Sequence, residues 1–205
     1  MNVTIFEYFV KGGIMMYPLF LCSILSLTVI INKIILFVSI RDNNIKFAHS
    51  IVKLAGEKKF DDAIVVSKTK NTPLGDFLSA GLEAVPKGRE SVEEAFEEQS
   101  LVVLNQLEKY LPILSVVAGV ATLTGFSGTV IGMIRAFNAI AANGVSSPTI
   151  VATGIAEALI TTATGLMIAI PTLVGFHYFN YRVNNYITFM EMTSIDFIKG
   201  VFYKK

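Results

Sequence analysis

The sequence predicts an all-α integral membrane protein with three transmembrane helices, and three observations lead there. Of its 205 residues, 53% are hydrophobic and only 16% are charged, whereas a soluble domain carries about 25% charged residues. The charges are also segregated. Ten of the seventeen Lys and Arg lie between Arg41 and Lys109, while residues 111–181 hold only Arg135 and Glu157 as charges. Finally, three apolar stretches reach the length of about 20 residues that a helix needs to cross the hydrocarbon core.

Taken in order, residues 1–13 form an outer N-terminal segment. MNVTIFEYFVKGG lacks a basic stretch before its apolar residues and a small-residue cleavage site after them, so the first long apolar run reads as a retained anchor. The first transmembrane helix is placed at 14–40. Pro18 falls in its first turns, where a missing N–H costs least, and Lys33 is expected to snorkel towards headgroups near its cytoplasmic end.

Residues 41–109 form a cytoplasmic helical segment. Phe47, Ile51, Val52 and Leu54 recur near helical spacing, as do Phe60, Ala63 and Ile64. Asn71-Thr72-Pro73 and Pro86-Lys87-Gly88 interrupt the pattern. Ser91 followed by Glu94 resembles a capping box, opening a helix that is expected to run unbroken into the second span.

That span is placed at 110–141, the outer loop at 142–148 and the third span at 149–181, with Ser147 as cap and Pro148 at the first helical position. A cytoplasmic tail, 182–205, completes the chain order. Basic residues favour 41–109 and the tail over the N-terminal side and the 142–148 loop. The N-terminus is therefore expected outside and the C-terminus in the cytoplasm.

Composition also excludes function classes. A net charge of +1 gives no general basic field for nucleic acid. Cys22 is the only cysteine, and His49 and His177 have no ligand spacing, so no metal site or cofactor is expected. The spans contain no nucleophile–base pair, so an enzyme is not predicted.

Two spans are unusual in their polarity. In GIAEALITTATGLMIAIP, residues 154–171, Glu157 is the only charge. An acid at a helix centre costs roughly 2.5–3.5 kcal/mol on insertion scales. At about 100° per residue, Thr153, Thr161, Thr164 and Ile168 share its face, while Ala158, Thr162, Gly165 and Ala169 form a second, small stripe. Pro171 is expected to bend this span.

The second span carries its own stripe, Ala118, Thr122, Gly125, Thr129, Gly132 and Ala136. Small residues at such spacing permit close helix contact. Folding the two spans as a hairpin places Thr129 and Thr162 each about 20 Å from the turn, with Glu157 about 7 Å nearer the outside. One carboxyl with hydroxyls on two spans suits an ion passage, since hydroxyls both donate and accept and can replace part of a hydration shell. The bland reading is a helix contact in which Glu157 is held by a structural hydrogen bond or by Arg135, and Arg135 otherwise snorkels.

GFSGTVIGMIRAF (125–137) followed by GIAEALITTATGLMIAIP resembles the paired signature of the ExbB/TolQ/MotA ion-channel family, on its ExbB/TolQ side. The Lys33 boundary, TPLGDFLSAGLEAV (72–85) and the helix entering the second span share the likeness. By position, the resemblance implies an ion pathway at Glu157, Thr129 and Thr162, with Thr161, Thr164, Thr122 and Arg135 as further pathway or packing residues.

The resemblance also implies an inner-membrane complex carrying H+ or Na+. Its ring-forming homo-oligomer, a pentamer with long helices extending into the cytoplasm, surrounds an ExbD/TolR-like single-span partner with a membrane Asp. Ion flow is coupled to work on a TonB/TolA-like periplasmic protein. The partner or the ion is then expected to neutralise Glu157. There are departures: Thr122 stands where many relatives have proline, Thr124 and Ser127 replace apolar residues, and Arg135 stands where Asn or His is frequent. Three spans and a short cytoplasmic segment argue against a MotA-type stator.

Overall fold

A computed structural model of the chain describes residues 5–40, 44–70, 72–143 and 148–203. Every regular element among them is helical: α1 Ile5–Lys11, α2 Met16–Ile40, α3 Asn44–Gly56, α4 Phe60–Thr69, α5 Pro73–Ala84, α6 Arg89–Glu108, α7 Leu111–Asn143 and α8 Pro148–Ile198. Three helical stretches are long and apolar enough to cross a membrane: Met16–Ile40, one within Arg89–Ala142, and one within Val151–Tyr203. The expected cap at Ser147 and the span-end charge Arg41 lie outside the described residues.

The chain divides into two compact units. The first holds α1, α2 through Asn32, α7, and α8 through Tyr178. Its core joins Met16, Leu19 and Cys22 of α2 to Val117 and Ala121 of α7 and Ala169 of α8, with Phe9 and Ile168 packed against them. α1 ends in a turn at Gly12–Gly13, where Gly13 takes φ +69° and Gly12 N–H donates to Tyr8 O at 2.9 Å. Pro18 lies in the first turn of α2, where it forfeits no helical bond.

α7 and α8 meet along a seam of small residues. A Cβ on Gly132 would stand 2.7 Å from Gly154 O, and one on Gly165 2.7 Å from Ala121 O. Gly125 likewise faces Gly165 Cα at 3.2 Å. The contacts run antiparallel, Ala136 against Gly154 at one end and Ala121 against Gly165 at the other. α8 continues through Pro171, and beside it the Thr172 hydroxyl donates to Ile168 O at 2.6 Å.

The second unit holds α2 from Lys33, α3 to α6, and α8 from Phe179. Phe96 sits at its centre, 4.6 Å from the Phe77 ring and 5.3 Å from Phe197. Thr72 caps α5, accepting from Gly75 N–H at 3.2 Å, and Pro73 occupies the first helical position. α3 ends in a Schellman turn: Lys59 N–H donates to Leu54 O at 3.0 Å, Lys58 N–H to Ala55 O at 3.0 Å, and Lys58 takes φ +61°.

The structure corrects three expectations. The helix entering the second span is broken, because α6 stops at Glu108 and Tyr110 turns to φ +71° before α7 begins. Pro112 is the cause: in a continuous helix its ring would collide with the Glu108 carbonyl, and it has no N–H to give. The Ser91 capping box does not form. α6 starts three residues earlier than that cap implies, with Gly88 at φ +105° in the cap position, so Ser91 lies inside the first turn.

Lys33 does not snorkel. It is 1% exposed, with Nζ donating to Leu107 O. That carbonyl is an orphan created by the break after Glu108, and a cation at a helix C-terminus is favourably placed.

Candidate functional site

The site is built on the α7–α8 hairpin of the first unit. Glu157 lies nine residues after the start of α8, and Arg135 lies eight before the end of α7. The antiparallel seam thus sets the two side chains at one level, and Arg135 Nη1 donates to Glu157 Oε1. Glu157 keeps 15% of its side-chain exposure, Arg135 52%. Within the chain the carboxylate therefore has a cation bonded to it, the Arg135 pairing that the sequence offered as an alternative. A charge-assisted contact of this kind is the strong class of hydrogen bond.

A third element meets the acid. A Cβ on Gly13 would overlap Glu157 Oε1, and one on Gly12 would strike Met16 and come within 3.2 Å of Ile160. The turn after α1 therefore seats its backbone directly on the carboxyl group. Sequence reasoning missed this contact. The available signal was the glycine pair in KGG, which ends a short helix and needs a positive φ.

The threonines divide into several settings. Thr161 is fully buried in the seam against Gly128, where a Cβ would overlap its hydroxyl, and its Oγ1 donates to Glu157 O at 2.9 Å and Ala158 O at 3.0 Å. Thr162 makes the inter-helix bond, donating to Gly125 O at 2.9 Å. Thr129 donates to Phe126 O at 2.5 Å, Thr164 to Ile160 O at 2.8 Å, and Thr122 to Ala118 O at 3.0 Å.

The geometry brings Glu157 together with Arg135 and Gly13, and it spends the Thr129 and Thr162 hydroxyls on backbone carbonyls. At about 100° per residue, Thr162 sits about 140° around α8 from Glu157. The expected small stripes hold at Gly125, Gly132, Ala136, Ala158 and Gly165, but the threonines sit at their edge: Thr161 of α8 and Gly128 of α7 are buried in the seam, whereas Thr122 is exposed and Thr129 half-buried. Their donated hydroxyls retain acceptor lone pairs. Thr122 lines a groove of about 290 Å³ with Ser115, Gly119 and Leu166.

Comparison with known proteins bears on this arrangement. Residues 69–192 match the model of the MotA/TolQ/ExbB proton channel family, a stretch that contains Thr129, Arg135, Glu157 and Thr162. The chain is 31% identical over 173 residues to a putative biopolymer transport protein ExbB-like 1 of Synechocystis sp., covering 83% of this chain and 68% of that one. It is 27% identical over 171 residues to the biopolymer transport protein exbB1 of Vibrio cholerae, covering 80% and 73%. A shorter match, 42% over 81 residues, reaches the Tol-Pal system protein TolQ of Haemophilus influenzae, covering 40% and 36%.

With its all-helical fold, three membrane-spanning helices and both signature blocks inside the matched region, the chain belongs to the MotA/TolQ/ExbB proton channel family, on the ExbB/TolQ side.

Proposed function

We propose that the chain is an ExbB/TolQ-like subunit of an inner-membrane complex in which proton or sodium flow drives mechanical work on a periplasmic or outer-membrane partner. TonB-dependent import and Tol-type envelope maintenance are the two forms of that work. The N-terminus lies in the periplasm, and 41–109 and 182–205 lie in the cytoplasm. Five copies form a ring around an ExbD/TolR-like single-span protein, whose membrane Asp takes the ion, and a TonB/TolA-like protein receives the motion.

The observation that carries this reading is Glu157, an acid held at 15% exposure inside a membrane-spanning helix and within the matched family region. Such a group is expensive to place and marks ion pathways in membrane proteins. Thr129, Thr162, Thr122 and Thr164 offer hydroxyl lone pairs along the hairpin. Arg135, by occupying the carboxylate, favours Glu157 as a shaper of the path over Glu157 as the ion's carrier.

The test uses the full complex in native membranes. Glu157→Gln keeps size and removes charge, and Thr129→Val with Thr162→Val keeps size and removes two hydroxyls. Both are expected to lower ion flux and coupled work at normal protein levels. The Arg135–Glu157 pair also supports a second reading, a non-conducting scaffold in which the acid only joins α7 to α8. Full flux and full work in Glu157→Gln would reject Glu157 as part of the ion path and favour that reading.

A further inference from the structure

Two neighbours of Glu157, Arg135 and the Gly12–Gly13 turn, are set with more care than a helix contact needs. Arg135 donates to Oε1 from α7. The Gly12–Gly13 turn lies over the same oxygen, with Gly13 at φ +69°, and a Cβ there would overlap Oε1 and approach Cδ to 2.8 Å. Glycine alone permits both that backbone conformation and that approach. The charged residues of α1 stay apart from the acid, Glu7 and Lys11 pairing with each other 3.9 Å apart at the surface. The carboxylate is thus enclosed by α7, α8 and the α1–α2 turn, with one cation bonded to it.

The energetics of such an enclosure are one-sided. An isolated carboxylate in an apolar setting is so costly that it takes up a proton instead. A bonded guanidinium removes that pressure, and deleting the guanidinium strands the acid. The backbone of the turn adds no charge, but it covers Oε1 on the side where a Cβ at Gly13 would overlap it.

We propose that Arg135 and the Gly12–Gly13 turn form a latch on Glu157, so that its Oε1 is released to water or an ion only when the turn lifts or the pair parts. The latch rests on the reading of Glu157 as part of the ion path, and it gives the N-terminal segment a role in that path. Arg135 acts here as a positioning residue: its guanidinium occupies Glu157 Oε1 while the hairpin is at rest.

Labelling with dicyclohexylcarbodiimide tests this, since the reagent modifies carboxyl groups that are protonated and reachable within a bilayer. The full chain with its native partners is labelled in membranes, and the Glu157 peptide is quantified by mass spectrometry. Wild type is expected to label slowly. Arg135→Gln and Gly13→Ala each raise the initial rate about ten-fold, the factor given by about 1.4 kcal/mol of lost protection. Arg135→Lys, which keeps the charge and loses the planar fork, falls between wild type and Arg135→Gln.

Should Arg135→Gln fail to accumulate in membranes, Gly13→Ala decides, because it leaves every charge in place. Wild type labelling as fast as the variants overturns the latch, and so does Arg135→Lys labelling as fast as Arg135→Gln. These outcomes leave the ion-path reading intact. Conversely, undiminished flux and work in Glu157→Gln reject the ion-path reading while the labelling contrast survives.

Discussion

Thr162 and Thr129 show how two threonines of the same hairpin carry different structural weight. The Thr162 hydroxyl crosses to Gly125 O on the facing helix, and the Thr129 hydroxyl returns to its own helix at Phe126 O. Inter-helix hydrogen bonds in membranes average about 0.6 kcal/mol and reach about 1.7. Thr162→Val is therefore expected to lower stability by about 1 kcal/mol, and Thr129→Val by much less, in reversible unfolding from detergent micelles. Equal losses would contradict the assignment of the inter-helix bond.

The seam glycines make a sharper contrast. Gly132→Val would press side-chain carbons on Gly154 O, already 2.7 Å from a bare Cβ, whereas a Cβ on Gly119 meets nothing within 4 Å. Gly132→Val is expected to abolish the folded hairpin, seen as loss of protein from membranes, and Gly119→Ala to leave its amount unchanged.

At the scale of elements, the end of α3 offers a direct test of the backbone. Lys58 sits at φ +61° in the Schellman position that glycine fills in most helices. A left-handed conformation costs an ordinary residue roughly 1–2 kcal/mol, so Lys58→Gly should raise the stability of the second unit by about 1 kcal/mol, read as a higher melting temperature. An unchanged or lower value would mean that the Lys58 side chain itself holds the turn.

Helices were legible in the sequence where apolar spacing and a proline or glycine agreed. Pro148 opens α8, Thr72-Pro73 opens α5, and the apolar residues Phe47 and Ile51 mark the buried side of α3. The break at Tyr110 escaped because hydrophobicity runs on through KYLPIL, and Pro112 was the only sign of it. Glu157 and the small stripes were legible from residue type and helical spacing. Its two neighbours were not, since Gly13 is 144 positions away in sequence and the pairing with Arg135 needs the seam register before it can be chosen over snorkelling.

For the whole molecule, the proposed ring predicts a specific particle. Extracted from native membranes, the 22.4 kDa chain is expected to run as a pentamer together with a small single-span protein bearing an aspartate in its membrane segment, read by native mass spectrometry. A lone monomer with no such companion would reject the assembly. Between Ala121 and Ala136, α7 faces α8 with backbone against backbone; a methyl group finds no room at Gly132, Gly154 or Gly165 and is tight at Gly125. At these glycines the two helices touch directly, which closes the seam to an ion there. In the assembly proposed above, the ion's route therefore follows the outer faces of the hairpin, where the Thr122 and Thr129 hydroxyls lie, and other chains complete its walls.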